Sequence, residues 1–210
     1  MSSSLRPVAV MLLLMTAVGC GALPSTNSEG RKPTMDMGQG AEQADAILQQ
    51  TLGDITPPLR WNHGPSNDIA CSNMLGKGTG TGTVERLIVI LTKVSAERRG
   101  SLLGIVERSW KARGYKITGV NRDKDMPAIF ATTPDHFQIV LEVGATGQFG
   151  FSAVTPCLTH TDNIPDPAPT PNTPQRDVPY PAPDDIHDDF WSAPTPGAPT
   201  PHRSSPSANR

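Results

Sequence analysis

The sequence predicts an α+β domain, an antiparallel meander sheet with one main helix packed on a face and a short helix ahead of it. Three observations carry this expectation. Residues 87–91 (LIVIL) are an unbroken branched-aliphatic run of the kind that forms a strand. Residues 96–113 place Leu102, Leu103, Val106 and Trp110 along one side of a helix, with Ile105 at its edge. From 116 to 155, short strand-like segments follow one another across brief turns, and short turns between consecutive strands require antiparallel neighbours.

The elements are expected in this order. Residues 41–52 form a short helix with Ala44, Ile47, Leu48 and Leu52 on one face, stopped by Gly53. Pro57-Pro58 ends that element, and Leu59-Arg60-Trp61 begins a strand. Residues 62–83, including the Gly/Thr stretch 76–83, read as loop. The run 87–91 is then a central strand with apolar contacts on both faces. Ser95 is placed to cap the main helix, Gly114 to end it in the left-handed conformation, and Tyr115 to pack back on Trp110. Strands at 116–120, 128–132, 137–143 and 148–155 complete the sheet, with Phe137, Ile139, Leu141, Val143, Phe149, Phe151 and Ala153 facing inward.

The organisation around this domain is read from composition. The chain has 210 residues and a net charge of −2, which suits one modest domain and argues against nucleic acid as a partner. Residues 158–210 hold 13 prolines, seven Asp and three Arg, a composition that favours extended, solvated backbone over a core. Four zones follow: a signal segment at 1–19, a flexible tether at 20–40, the α+β domain at 41–157 and a disordered acidic tail at 158–210. A tether of that length has a root-mean-square reach of about 25 Å. Within the tail, the acidic-aromatic island 184–191 (DDIHDDFW) is either a partner-docking motif or a fragment without a partner.

Candidate chemistry fails on spacing. The stretch 76–83 lacks the Gly that a phosphate loop needs before Gly-Lys with four residues between, since Cys71 stands there. It also leads into a strand, not a helix N-terminus. His63 and His136 sit in turn-like settings, and Asp135 beside His136 makes no dyad because adjacent side chains diverge. There is no Gly-x-Ser-x-Gly elbow and no Ser-x-x-Lys. His160 and His187 with tail aspartates would hold a metal only weakly, so no metal and no cofactor are expected. Trp61, Trp110 and Tyr115 could form a ligand platform, although a domain with few aromatics spends them mainly on packing.

The N-terminal apolar run 7–18 is too short for a permanent membrane helix. Ala17-Val18-Gly19-Cys20 resembles the lipobox of bacterial lipoproteins. That resemblance implies cleavage before Cys20 and acylation of its thiol, and two or more acyl chains anchor a protein stably. Secretion with cleavage after Gly19, or an uncleaved segment, are the alternatives. With Cys20 carrying lipid, Cys71 and Cys157 remain as a pair in an oxidising compartment. A disulfide is then the default over free thiols or metal ligands. Closing 86 residues of chain would restrict the unfolded state by about 4.5 kcal/mol.

A second resemblance rests on Trp110…Gly114-Tyr115-x-Ile117, Pro127-x-Ile129, Thr132-Thr133-Pro134-Asp135-x-Phe137 and Gly147-Gln148-Phe149…Pro156-Cys157. These residues resemble a group of small exported lipoproteins from high-GC Gram-positive bacteria such as streptomycetes. The likeness covers about 41–157 plus the lipobox. It implies location and an α+β fold, and no activity. It departs at His136, where the group's turn would have Gly. The sequence therefore reads as a non-enzymatic module on the extracytoplasmic face of a bacterial membrane. It is held there by lipid on Cys20 and binds a protein, the wall or a small ligand. The alternatives are an envelope hydrolase or transferase without a recognisable motif, and a structural wall component acting through its Pro-rich tail.

Overall fold

A computed structural model of the chain describes residues 33–145, 147–170 and 186–194. Two helices lie on one face of an eight-stranded antiparallel sheet, the predicted α+β class. The elements are α1 (Met37–Gly53), β1 (Trp61–His63), β2 (Asn67–Ser72), β3 (Gly78–Ile90), α2 (Ala96–Ala112), β4 (Lys116–Asn121), β5 (Ala128–Thr132), β6 (Gln138–Val143), β7 (Phe149–Val154) and β8 (Leu158–Thr159). The strand order is β1-β3-β7-β6-β5-β4, with β2 and β8 also paired to β3. β4 to β7 are the expected meander. β7 then returns beside β3, with Phe151 opposite Ile88 and Phe149 opposite Ile90.

The core lies between the sheet and both helices. Ala44, Ile47, Leu48 and Leu52 of α1 and Leu102, Leu103, Val106 and Trp110 of α2 bury against Ile129, Ile139, Leu141, Phe149 and Phe151. Trp110 stacks on Phe151 with ring centroids 5.9 Å apart, and its Nε1 donates to Thr51 Oγ1 at 3.1 Å. The stop after α2 has the expected form. Gly114 takes φ 76°, and the Tyr115 amide reaches back to the Trp110 carbonyl at 2.9 Å. Ser95 precedes α2, but its hydroxyl makes no cap; its amide instead donates to the Trp191 carbonyl at 2.9 Å.

Four expectations are corrected. First, α1 starts at Met37, not 41, so residues 37–40 belong to the domain and not to a tether. Asp36 and Gln39 form a reciprocal capping box. Gly38 and Gly40 disguise this first turn because glycine is a poor helix former. Their role is proximity, since a Cβ at Gly40 would collide with Leu158. Second, the supposed loop 62–83 contains β2 and the first half of β3. The alternation Gly78-Thr79-Gly80-Thr81-Gly82-Thr83 is a strand of period two, in which Gly82 admits the Met37 sulfur that a Cβ would meet at 2.7 Å. Third, β3 is buried on one face only. Val84, Arg86, Ile88 and Ile90 face the helices, while Leu87 and Val89 are half-buried on the open face.

The fourth correction concerns the tail. Residues 158–170 and 186–194 pack on the domain instead of trailing from it. β8 pairs with Thr81 and Gly82 of β3. Ile186 forms a parallel bridge with Thr92. Trp191 is fully buried in the core, with Nε1 donating to the Pro57 carbonyl at 2.8 Å. Phe190 lies under the Arg98 guanidinium, 3.8 Å from ring centroid to Cζ. The described part of the aromatic island, 186–191, therefore docks on its own chain. Composition misled here because prolines and aspartates surround one large apolar side chain, and one tryptophan in a pocket outweighs them. Residues 171–185 and 195–210, like the signal segment and Cys20, lie outside the described residues.

Trp191→Ala is expected to cost about 3–5 kcal/mol in urea unfolding, the usual price of emptying a buried tryptophan site. A chain ending before residue 186 should lose a similar amount. Unchanged unfolding midpoints for both would contradict the packed tail.

Candidate binding groove and buried ionic cluster

Two features stand out once the layers are assembled. The first is a groove between α2 and the β4–β5 hairpin, with a volume of about 380 Å³. That lies in the range of small-molecule sites. Helical spacing puts Gly100 and Gly104 on one face of α2, and both open toward the hairpin. A Cβ on Gly100 would meet nothing within 4 Å, and one on Gly104 would meet only the Arg108 guanidinium at 3.4 Å. Leu103, Val120, Pro127 and Ile129 supply apolar surface.

The rim is charged. Arg99, Arg122 and Lys124 bring positive charge, and Asp123 and Glu107 negative. The two acids are already engaged. Asp123 Oδ1 accepts from the amides of Asp125 at 2.9 Å and Met126 at 2.8 Å, and these bonds hold its carboxyl below the usual range. Glu107 pairs with Lys111 at 2.6 Å, which lowers its carboxyl likewise. Arg99 donates to the Asp125 carbonyl at 3.0 Å, a neutral acceptor that leaves its charge uncompensated while tying helix to hairpin. The groove thus offers an apolar floor beneath a rim of mixed charge, in which Arg99, Arg122 and Lys124 outnumber Asp123 and Glu107 by one, a complement for a small amphipathic anion.

The second feature is a buried ionic cluster. Arg86, on the inner face of β3, is 2% exposed and forms an ion pair with Asp45 of α1, Nε to Oδ2 3.3 Å. Its Nη1 donates to Ser66 Oγ at 2.7 Å and its Nη2 to the Pro165 carbonyl. No hydrogen bond reaches Asp45 Oδ1. Burial raises the Asp45 carboxyl, with the Arg86 charge opposing. His63 lies beside them, edge-on to Trp61 with centroids 5.2 Å apart and faced by the Ala168 backbone. Burial lowers its imidazole, with the Asp45 charge opposing. Ser66 accepts from Arg86 and donates to the Glu85 carbonyl at 3.2 Å. A hydroxyl committed on both sides is held in place rather than activated for attack.

The singled-out residues separate as follows. Cys71 and Cys157 form a disulfide with Cα atoms 6.2 Å apart, joining β2 to the residue before β8. The pair fits an oxidising, extracytoplasmic setting. His63 meets Asp45, a convergence that sequence spacing could not show because they lie 18 residues apart on two different elements, β1 and α1. His136 occupies a turn at φ 67°, a conformation that suits glycine, and its amide closes on the Thr133 carbonyl at 3.0 Å. Trp61 and Trp110 are buried in packing and Tyr115 packs partly buried against the same core, so the three form no platform. His160 and His187 pair singly with Asp162 and Asp189 at the surface. Among the described residues no three His, Cys, Asp or Glu side chains gather as metal ligands. The groove was missed in the sequence, although Gly100 and Gly104 at helical spacing were its one visible signal.

Fold and disulfide define a class: a two-layer α+β domain of the kind suited to an oxidising compartment. The chain is structurally similar to a DUF4853 family protein from Actinomyces odontolyticus. The TM-score is 0.41 and the identity 13%, covering 66% of this chain and 75% of that one. No family model matches the sequence, and no curated protein does.

The ionic cluster generates two predictions. Because folding lowers the His63 imidazole, the unfolded chain binds its proton more readily, so stability falls as pH drops below about 6.5. Asp45, raised by folding, acts in the opposite sense at more acidic pH. The melting temperature should therefore decline from pH 7.5 to 5.5, and His63→Gln should flatten that slope. Arg86→Met should cost about 3–5 kcal/mol by leaving Asp45 buried without its cation. Adding Asp45→Asn should recover part of the loss; a double variant no more stable than Arg86→Met would dismiss the ion pair as the cause.

Proposed function

We propose that this chain is a lipid-anchored extracytoplasmic binding protein whose α2/β4–β5 groove takes a small amphipathic anion. The groove carries this reading: two glycines open it, aliphatic side chains floor it, and three cations stand at a rim that holds two acids, one of them, Glu107, paired with Lys111. The lipobox-like Ala17-Val18-Gly19-Cys20 supports the anchor, and the Cys71–Cys157 disulfide is consistent with export. A partner at the cell surface, protein or wall, remains compatible with such a ligand carrier.

The anchor is tested by Cys20→Ala. The variant should leave the membrane fraction for the medium, and firm membrane retention would refute acylation at Cys20. The groove is tested with anilinonaphthalene sulfonate, a fluorescent amphipathic anion. Gly104→Leu should weaken its binding at least tenfold by filling the groove. Helix stability should rise by about 0.5–1 kcal/mol when glycine leaves the helix interior. Arg99→Gln should weaken binding without blocking it. Unaltered dye binding in Gly104→Leu would remove the groove as the site.

A further inference from the structure

The β2–β3 hairpin carries the most exposed apolar side chains among the described residues. Met74 and Leu75 are 102% and 92% exposed, and Ile69 on β2 is 68% exposed. They do not sit on a loose loop. Asn73 Oδ1 accepts from the amides of Leu75 and Lys77, both at 3.0 Å. The Asn73 amide donates to the Lys77 carbonyl at 2.9 Å, and the Gly76 amide returns to the Asn73 carbonyl at 2.9 Å. Gly76, at φ 74°, supplies the left-handed residue that this turn needs. The Cys71–Cys157 disulfide clamps the hairpin just behind the tip, and Thr79 Oγ1 donates to the Cys71 carbonyl at 3.0 Å. The structure therefore fixes two apolar side chains at the hairpin tip, and among the described residues they are left exposed.

Charge says what the point meets. From residue 69 to residue 84 the chain has no Asp or Glu, and Lys77 is its one charged side chain. The rest of that stretch is Thr, Ser, Asn and Gly with Ala70, the bridged Cys71 and the buried Val84, and the nearest acids, Asp68 and Glu85, lie at the far end of the hairpin from the tip. Cys20 lies 16 residues before Asp36 in sequence, a length that spans at most about 55 Å even when fully extended. We propose that this tip is a membrane contact, with Met74 and Leu75 entering the interfacial layer of an anionic bilayer and Lys77 pairing with its headgroups. The inference rests on the membrane-anchored reading: a domain tethered that closely meets lipid at high effective concentration, so a two-residue apolar tip suffices to orient it.

The test supplies the tether chemically, so that the two claims fail separately. The mature chain from residue 20, carrying Leu75→Trp, is coupled through its Cys20 thiol to maleimide lipid in vesicles of phosphatidylglycerol and brominated phosphatidylcholine. Trp61, Trp110 and Trp191 are buried and shielded, so quenching reports position 75. Strong quenching is expected, with a shift of emission to the blue. Adding Met74→Asp and Lys77→Glu should remove most of that quenching. All three side chains are solvent-exposed, so the variant should keep its melting temperature and its Cys71–Cys157 linkage. An unquenched Trp at 75, or equal quenching after Met74→Asp and Lys77→Glu, would overturn the proposal. So would crosslinking of position 75 to a protein without lipid quenching. Because the tether is made in vitro, these results leave the Cys20→Ala fractionation as the independent test of the anchor.

Discussion

Arg86 is the constraint on which the arrangement of this domain turns. It projects from the inner face of the strand that pairs with four others, and three further stretches of chain converge on its guanidinium. Asp45 brings α1, Ser66 brings the connection from β1 to β2, and the Pro165 carbonyl brings the segment after β8. Burying such a pair is costly, and its net contribution to stability is small compared with a hydrophobic replacement. Its effect is directional. An apolar side chain at this position would accept α1 in several rotations, whereas a guanidinium with one carboxylate, one hydroxyl and one carbonyl in reach accepts one. The desolvation that raises Asp45 and lowers His63 is the visible cost of that placement.

The same logic explains which parts of the fold were legible in the sequence. The meander and α2 were readable because their information is local. Alternation in 137–143 and 149–153, helical spacing from Leu102 to Trp110, and Gly114 after the helix all state their structure within a few residues. The failures share a different cause. Gly38 and Gly40 look like tether, Gly78 to Thr83 like loop, and Trp191 like an orphan in a polar tail, because each is explained only by a distant partner. Those partners are Asn163 and Leu158 for the helix glycines, Met37 for Gly82, and Pro57 for Trp191. His63 looks like a turn residue in sequence, and nothing there points to Asp45, for the same reason. The disulfide was legible without geometry, since the cysteine count and the expected compartment sufficed. The groove was not, because the α2 glycines matter only once β4 and β5 leave the space before them unfilled.

C-terminal packing also changes how the domain boundary is understood. β8 closes over the glycine-opened start of α1, Ile186 joins the edge beside Thr92, and Trp191 fills the space between Pro57 and the start of α2. A core assembled from residues 41–157 alone would leave that pocket open and the Ser95 amide without its acceptor. The Pro-rich segments are thus interrupted by two anchoring points, and the apolar contribution of one tryptophan is comparable to that of any residue in the meander.

The two proposed surfaces sit on different parts of one sheet. The groove lies over β4 and β5 at one end of the strand order, while the exposed tip extends from β2 and β3 toward the other. Four strand spacings of about 4.8 Å put roughly 19 Å between β3 and β4. That exceeds the screening length of about 8 Å at physiological salt, so Lys77 and the groove cations act on their own surroundings rather than on each other. A tip seated on lipid would leave the groove uncovered, and an anion held beneath α2 would not compete for the headgroups that meet Lys77. The disulfide serves this separation. By tying β2 to the residue before β8, it holds the hairpin to the sheet at the point where paired neighbours end, so the tip moves with the domain that carries the groove.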